Sequence, residues 1–322
     1  MFHLFQNLLK KLQIKNYANC VFRNDDELSF DYDFVMSLDE KQYPKYLRYI
    51  YQIKTGEKLN LRHPKTINEK IQWLKIYDNL PIKTQLTDKV LVRDWVKDRI
   101  GVEYLKPILA ICNDYNEIDF DNLPDSFIIK CNHGCKWHVV VKNKSSFLQN
   151  KKLLALTKLY MDKWLSQTYF GWSDFETQYK NIVPKILIEP LLRKNVLLAE
   201  RESGIHIFCF NSQPKIFHSF EFSEQENKRV FSTYDHNFKN IEIFSLTQEK
   251  KPDEYIKKAV ELSKILCKGF KFVRIDWFIF NDKLYFEEMT FTPCSGYIDI
   301  KDQNLQLKLG NMLNLKGNDS EL

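Results

Sequence analysis

The stretch FVRIDWFIFNDKLYFEEMT, residues 272–290, constrains the chain most, because it alternates in steps of two and carries charges into otherwise apolar β structure. On an extended strand Val273, Ile275, Trp277 and Ile279 point one way, and Arg274 and Asp276 the other. In the second run Leu284, Phe286, Glu288 and Thr290 fall on one face by the same alternation. A hairpin through a three-residue loop, Asn281 to Lys283, sets Glu288 opposite Asp276, whereas a two-residue Asn281–Asp282 loop sets Glu287 there. Two facing carboxylates repel unless a cation lies between them, and hard oxygen ligands on adjacent strands suit Mg2+ shared with substrate phosphates. Taken by itself, the stretch also reads as an exposed, salt-bridged hairpin.

Composition admits a sizeable core: 322 residues, 44% hydrophobic and 14% aromatic, suffice for one large domain or two to three small ones. A net charge of +6, from 48 basic and 42 acidic residues without a sustained basic block, argues against nucleic acid as the partner. Seven cysteines, an odd number at irregular spacing, predict reduced thiols and a cytoplasmic protein. No run of about eighteen apolar residues is present to span a bilayer. The first residues, MFHLFQNLLKKLQIKNY, lack a secretory cleavage site and place Phe2, Phe5, Leu8, Leu9 and Leu12 at helical spacing beside Lys10, Lys11 and Lys15. Such a helix docks on the protein's own core or makes peripheral contact with the inner face of an anionic membrane.

The first third reads as helical. DEKQYPKYLRYIYQIKT stops at Gly56, INEKIQWLKIYD starts behind a Thr66 cap with Glu69 three residues on, and LTDKVLVRDWVKDRI stops at Gly101. From Asp125 the period becomes two, in SFIIKCNHG and WHVVVKNK. A helix over KLLALTKLYMDKWLSQTYF follows, then β structure over KILIEPLL, IHIFCFNSQPKIFHSF and VFSTYD, then a helix over PDEYIKKAVELSKILCKG and the hairpin. Strands and helices without strict alternation predict an α+β architecture.

Outside the hairpin the chemistry-bearing residues are dispersed. Lys130 ends an apolar strand before the loop His133–Gly134, where an ammonium would meet a phosphate oxygen and a glycine would let backbone approach it. Cys131, His133, Cys135 and His138 superficially resemble a zinc site, but Cys131 and His133 share a strand face and the spacing is not the usual one. Lys89 and Arg93 stand one helical turn apart, and Glu189 follows an apolar strand.

In order, DKVLVR, FIIKCNHG, ILIEPLL, FCFNSQPK, GFKFVRIDWF and YFEEMTFTPCSG resemble the TupA-like ATP-grasp family of teichuronopeptide biosynthesis, sometimes described as glycosyltransferases, from about Tyr43 to Leu313. The resemblance implies an ATP-grasp fold, with two α+β subdomains clamping ATP behind a mainly helical N-terminal region. The segments would be 1–85, helical; 86–188, the lid subdomain; and 189–322, the catalytic, metal-binding subdomain. It implies ATP and Mg2+ as cofactors and γ-phosphate transfer to a carboxylate on a sugar or amino acid, then displacement by an amine. Carried over by position, Arg93 and Lys130 would hold phosphates, His133 and Gly134 the covering loop, and Glu189 adenosine. Asp276, Glu288 and Thr290 would be metal ligands, and Arg274 would stabilise charge on the transferred group. Three departures stand out: Cys135–Lys136 where relatives carry Ser-Gly, Gly204–Ile205–His206 where they carry Asp-Tyr-Lys, and Cys294 in place of glycine.

The expectation is an ATP-dependent carboxylate–amine ligase of bacterial surface polysaccharide or polymer synthesis. A nucleotide-sugar glycosyltransferase, with Asp31–Tyr32–Asp33 as its metal motif, is the alternative. A noncatalytic nucleotide-binding protein is the third reading.

Overall fold

The computed structural model describes residues 20–22, 31–192, 203–223, 228–243 and 251–316. The amphipathic N-terminal segment, residues 2–17, lies outside them. Two compact units emerge, each discontinuous in sequence: 20–22, 107–167 and 184–192 form one, and the remaining described residues the other. Residues 86–106 and 168–183 thus join the unit that contains the hairpin. Among the described residues no helix is long and apolar enough to cross a membrane.

The first unit is built on an antiparallel sheet of β1 (Cys20–Phe22), β2 (Ala110–Cys112), β3 (Phe127–Cys131), β4 (His138–Val141) and β5 (Ile186–Pro190), in the order β1-β4-β3-β5-β2. Alternation along β3 buries Phe127 and Ile129, with Val139 and Val141 beside them on β4. A helix over Lys151–Leu165, capped by the Asn150 side chain, buries Leu153, Thr157, Met161 and Trp164.

The second unit carries the sheet of β6 (Ser203–Phe210), β7 (Gln213–Ser223), β8 (Lys228–Asp235), β9 (Phe272–Phe280) and β10 (Lys283–Thr290), in the order β10-β9-β6-β7-β8. Ile205, Ile207, Val273, Ile275 and Trp277 share one face and pack with Ile256, Ala259, Leu262 and Leu266 of the helix Glu254–Leu266. Trp277 donates its indole N–H to the Ser263 hydroxyl at 2.9 Å, so this large side chain is buried without an orphaned donor. One end of the opposite face, Phe208, Phe210, Ile216 and Phe272, packs with Ile67, Ile71 and Leu74 of the helix Ile67–Tyr77. That helix has the capping box its Thr66 and Glu69 predict, and Gly56, at φ 75°, ends the helix Tyr43–Thr55 as expected.

Two local expectations need correction, and the β structure expected over 205–220 gains a turn. Asp88 and Lys89 do not open a helix: Asp88 ends Pro81–Thr87, and its carboxylate accepts from Val90 N–H at 2.7 Å, so Val92–Ile100 starts beyond Lys89, and Lys89 and Arg93 do not stand one turn apart on a common helix. The stretch 205–220 is a hairpin, turning at Asn211–Ser212, both at positive φ. The β9–β10 loop is also two residues, Asn281–Asp282 at φ 49° and 55°, a turn whose twist suits antiparallel strands. Glu288 nevertheless lies opposite Asp276, because a bulge between Phe286 and Glu288 absorbs one residue.

Candidate active site

The bulge decides which side chains meet. With alternation interrupted at Glu287, the two consecutive glutamates, Glu287 and Glu288, both come to the face of β10 that carries Tyr285 and Thr290, while Leu284 and Phe286 turn to the opposite face and join the core. Phe278, which shares its β9 face with Asp276, confirms the sense: the Lys106 ammonium lies 5.5 Å from its ring centre and 2.7 Å from Glu287 Oε2. Three carboxylates and Arg274 therefore occupy one face.

Arg274 donates from Nε to Asp276 Oδ1 at 2.7 Å and from Nη2 to Oδ2 at 2.5 Å, a forked, charge-assisted pair. Nη2 also lies 3.5 Å from Glu288 Oε1 and 3.4 Å from the Thr290 hydroxyl, which itself donates to Glu288 at 2.9 Å. Burial by itself lowers the guanidinium's pKa, but the charge and hydrogen bond of Asp276, then Glu288 and Cys294, outweigh it and raise the pKa above its ordinary value. Asp276 and Arg274 are largely buried, whereas the Glu288 side chain is 39% exposed and open to a ligand.

A polar row crosses the whole sheet here. Glu288, Asp276, His206, His218 and Thr233 are successive partners from β10 to β8. His206 Nε2 is 3.9 Å from Asp276 Oδ2, and His218 Nδ1 lies 2.9 Å from the Thr233 hydroxyl. Burial, then the neighbouring His206 and Arg274 charges, push His218 down from 6.5 to about 3. His218 escaped the sequence reading because a register shift between Phe208 and Cys209, which nothing local marks, brings it opposite His206; unbroken pairing from the Asn211–Ser212 turn would set Phe217 there.

Beyond Thr290 the face is filled. Glu176 accepts from the Thr292 hydroxyl at 2.7 Å and from Gln178 at 3.3 Å, while the buried Lys75 ammonium donates to Ser295 Oγ at 2.8 Å and to the Asp174 carbonyl at 3.1 Å. These contacts fasten two left-handed pairs, Asp174–Phe175 and Cys294–Ser295, with every φ between 49° and 69°. Non-glycine residues held in that region store strain that the surrounding contacts must offset. Burial pushes Glu176 up to about 7, opposed by the Lys75 charge and by hydrogen bonds from Thr292 and Ser295.

The two titrations act in opposite directions. Folded His218 binds fewer protons than the unfolded chain between pH 6.5 and 3, so its contribution is full above pH 6.5 and lost on acidification. Folded Glu176 binds more protons than the unfolded chain between 4.5 and 7, so stability from this group falls as pH rises through that window. Relative to the parent protein, His218→Asn is expected to gain stability as the pH is lowered from 7 to 5, and Glu176→Gln to lose it. The slopes should approach about 1 kcal/mol per pH unit in urea unfolding. Parallel pH profiles for all three proteins would contradict the assignment.

In the first unit, Lys130 and Glu189 share a face of β3 and β5 and form a buried ion pair, Nζ to Oε2, at 2.6 Å. His133 is fully buried: Nδ1 lies 3.0 Å from Asn132 Oδ1, and Nε2 lies 2.9 Å and 3.1 Å from the carbonyl oxygens of Trp164 and Gln167. The covering loop is pinned, since Cys131 N–H donates to the Trp137 carbonyl at 2.9 Å, leaving Cys135 and Lys136 as its exposed tip. Trp137 stacks on Trp164 with planes 7° apart. A Cβ at Gly134 would stand 2.5 Å from the Trp137 ring, so glycine is required here by an indole. Gly134→Ala should therefore cost about 1–3 kcal/mol through displacement of that ring, read in denaturant unfolding with loss of the tryptophan stack's near-UV signal. Arg93, back in the second unit, donates from Nη2 to the Lys106 carbonyl at 2.8 Å.

The donor set suits a hard cation: Asp276, Glu288 and Thr290 present oxygens on one face. Among the described residues no group of three or more His, Cys, Asp or Glu is placed to hold a metal. Mg2+ commonly takes one or two carboxylates and completes its shell with water and substrate phosphate, so Asp276 and Glu288 are the carboxylates that would hold it.

An α+β chain with two antiparallel sheets, one carrying an arginine among carboxylates, has the architecture of the ATP-grasp class. The chain belongs to the TupA-like ATP-grasp family, whose model matches residues 69–314 and so takes in each candidate site residue named above. No curated protein matches it significantly. Among solved structures it is similar to the ATP-grasp ligase PsnB complexed with minimal precursor (TM-score 0.39, 12% identity, 76% of this chain and 66% of that one). D-alanine–D-alanine ligase from Bacillus anthracis gives TM-score 0.34 at 16% identity over 65% of this chain and 57% of that one. The enzyme from Helicobacter pylori gives 0.41 at 16% identity over 79% and 69%. The chain spans less than two thirds of the length of the first two.

Proposed function

We propose that this chain is an ATP- and Mg2+-dependent ligase that joins a carboxylate to an amine through an acyl phosphate. The observation that carries this reading is the cluster on β9 and β10, in which one guanidinium is shared by Asp276, Glu288 and Thr290 on a single face. Asp276, Glu288 and Thr290 would hold Mg2+, which when bound neutralises charge on the phosphate oxygens. Arg274, kept protonated by its carboxylate neighbours, faces the group in flight and stabilises its developing negative charge. An acceptor carboxylate oxygen attacks the γ-phosphorus, and ADP departs with the electrons of the broken P–O bond. The amine nitrogen then attacks the acyl carbon, and as the C–N bond forms the C–O bond breaks, inorganic phosphate leaving with its electron pair and taking up the proton that the nitrogen loses.

Lys130 would act on the nucleotide by exchanging Glu189 for a phosphate oxygen, and Arg93 by holding the segment that ends at Lys106. The acceptor would be a sugar or amino-acid carboxylate of bacterial surface polymer synthesis, a pathway that rests on the family resemblance. Against the glycosyltransferase reading, the Asp31 carboxylate is spent as a helix cap, accepting from Phe34 N–H at 3.2 Å. The test is ADP release and calorimetric binding with Mg-ATP across a panel of uronic and amino acids and amines. Turnover dependent on both substrates supports the ligase. Saturable ATP binding without turnover on any pair points to a noncatalytic protein, and binding of a nucleotide sugar in place of ATP to a glycosyltransferase.

A further inference from the structure

The bulge that brings Glu288 opposite Asp276 leaves Glu287 on the same face, one step out of the pairing, with Lys106 beside it. From the Arg274–Glu288–Thr290 cluster, the face is closed toward Thr292 by the Glu176, Gln178, Lys75 and Ser295 network. A nucleotide whose terminal phosphate meets Arg274 cannot extend that way, and along the hairpin it runs toward Phe278 and Tyr285. Those two rings are register partners and stack with centroids 5.3 Å apart. At this end stand Glu287 and Lys106, paired at 2.7 Å, with the ammonium against the Phe278 ring and the Lys106 carbonyl tied to Arg93.

We propose that Glu287 and Lys106 form the ribose end of the nucleotide subsite, Glu287 accepting from the sugar hydroxyls and Lys106 holding its carboxylate in place. This rests on the ATP-dependent reading above. A charged acceptor beside a ring-lined, water-poor wall discriminates strongly, because a sugar lacking its hydroxyls leaves the carboxylate's lone pairs without donors. The tight Asn281–Asp282 turn already sends Glu287 to this face, since alternation from Phe286 turns Glu287 toward the site and Glu288 away from it; the bulge adds Glu288 opposite Asp276 and shifts Glu287 along the strand to Lys106.

The experiment measures affinity by calorimetry for Mg-ATP and for Mg-2′,3′-dideoxy-ATP. The parent protein should prefer ATP by about tenfold or more, the worth of hydrogen bonds to a charged acceptor. Glu287→Gln should compress the ratio to near unity with ATP itself bound more weakly. Lys106→Met combined with Glu287→Gln, which removes both buried charges and so avoids an orphaned ammonium, should show the same compression in a protein whose melting temperature is preserved. An unchanged ratio in Glu287→Gln and in the double variant, with ATP still bound, overturns this inference alone. Failure of the parent to bind either nucleotide overturns it together with the reading it rests on.

Discussion

Asp276→Asn and Glu288→Gln are each expected to reduce ATP turnover by about a hundredfold or more, because each removes an anionic ligand from the cation that would neutralise the transferring phosphate. In stability the two should part. Asp276 is buried and receives both prongs of Arg274, at 2.7 Å and 2.5 Å, so its neutral isostere leaves a buried guanidinium with only the longer contacts to Glu288 and Thr290. Breaking a buried pair on one side costs about 3–5 kcal/mol, and the retained amide oxygen of asparagine keeps Asp276→Asn toward or below the low end. Glu288 is 39% exposed and 3.5 Å from Arg274, so Glu288→Gln should leave the unfolding free energy nearly unchanged. Two facing carboxylates that only repelled each other would make both substitutions neutral or better for folding; the fork from Arg274 makes the difference. Steady-state ADP release and urea unfolding of the two variants check this. Retained turnover in both would reduce the hairpin to a structural element.

Much of this fold could be read locally. Helix ends at Thr66, Gly56 and Gly101 are governed by groups within a few residues, and the side-chain alternation of β3 and β9 is equally local. The bulge was not legible in that way. Nothing in KLYFEEMT marks Glu287 as the extra residue; it is selected when Leu284 and Phe286 and then Met289 all enter one core with the helix Glu254–Leu266. The expected longer loop and the observed tight turn plus bulge each bring Glu288 opposite Asp276, yet they disagree about Glu287. Alternation turns it away, whereas the bulge sets it against Lys106. The polar row escaped for a related reason, since His206 and His218 become neighbours of Asp276 only when three strands pair in one register. The Lys75–Glu176 network joins segments about a hundred residues apart and has no local signature. Chemistry at Arg274, Asp276 and Glu288 was suggested by charges in an apolar strand, and their roles by family resemblance.

Lys130→Ala is expected to be strongly destabilising as well as damaging to ATP affinity. As a strand-end lysine facing a loop, Lys130 would contribute little to folding, but it is 8% exposed, and its ammonium lies 2.6 Å from Glu189, itself 4% exposed. Removing the cation leaves a buried carboxylate without that partner, at a cost of about 3–5 kcal/mol, whereas replacing both charges with uncharged groups of similar shape is far less costly. Lys130→Met with Glu189→Gln should therefore recover most of the stability lost in Lys130→Ala. Affinity for Mg-ATP should not recover, because the double variant still lacks the ammonium that would leave Glu189 for a phosphate oxygen. Urea unfolding and ATP titration of the single and double variants separate the two effects. If the double variant regains stability and ATP affinity together, Lys130 serves the fold alone; if Lys130→Ala unfolds at the parent's denaturant concentration, the buried pair contributes nothing and the lysine is free to act solely on the nucleotide.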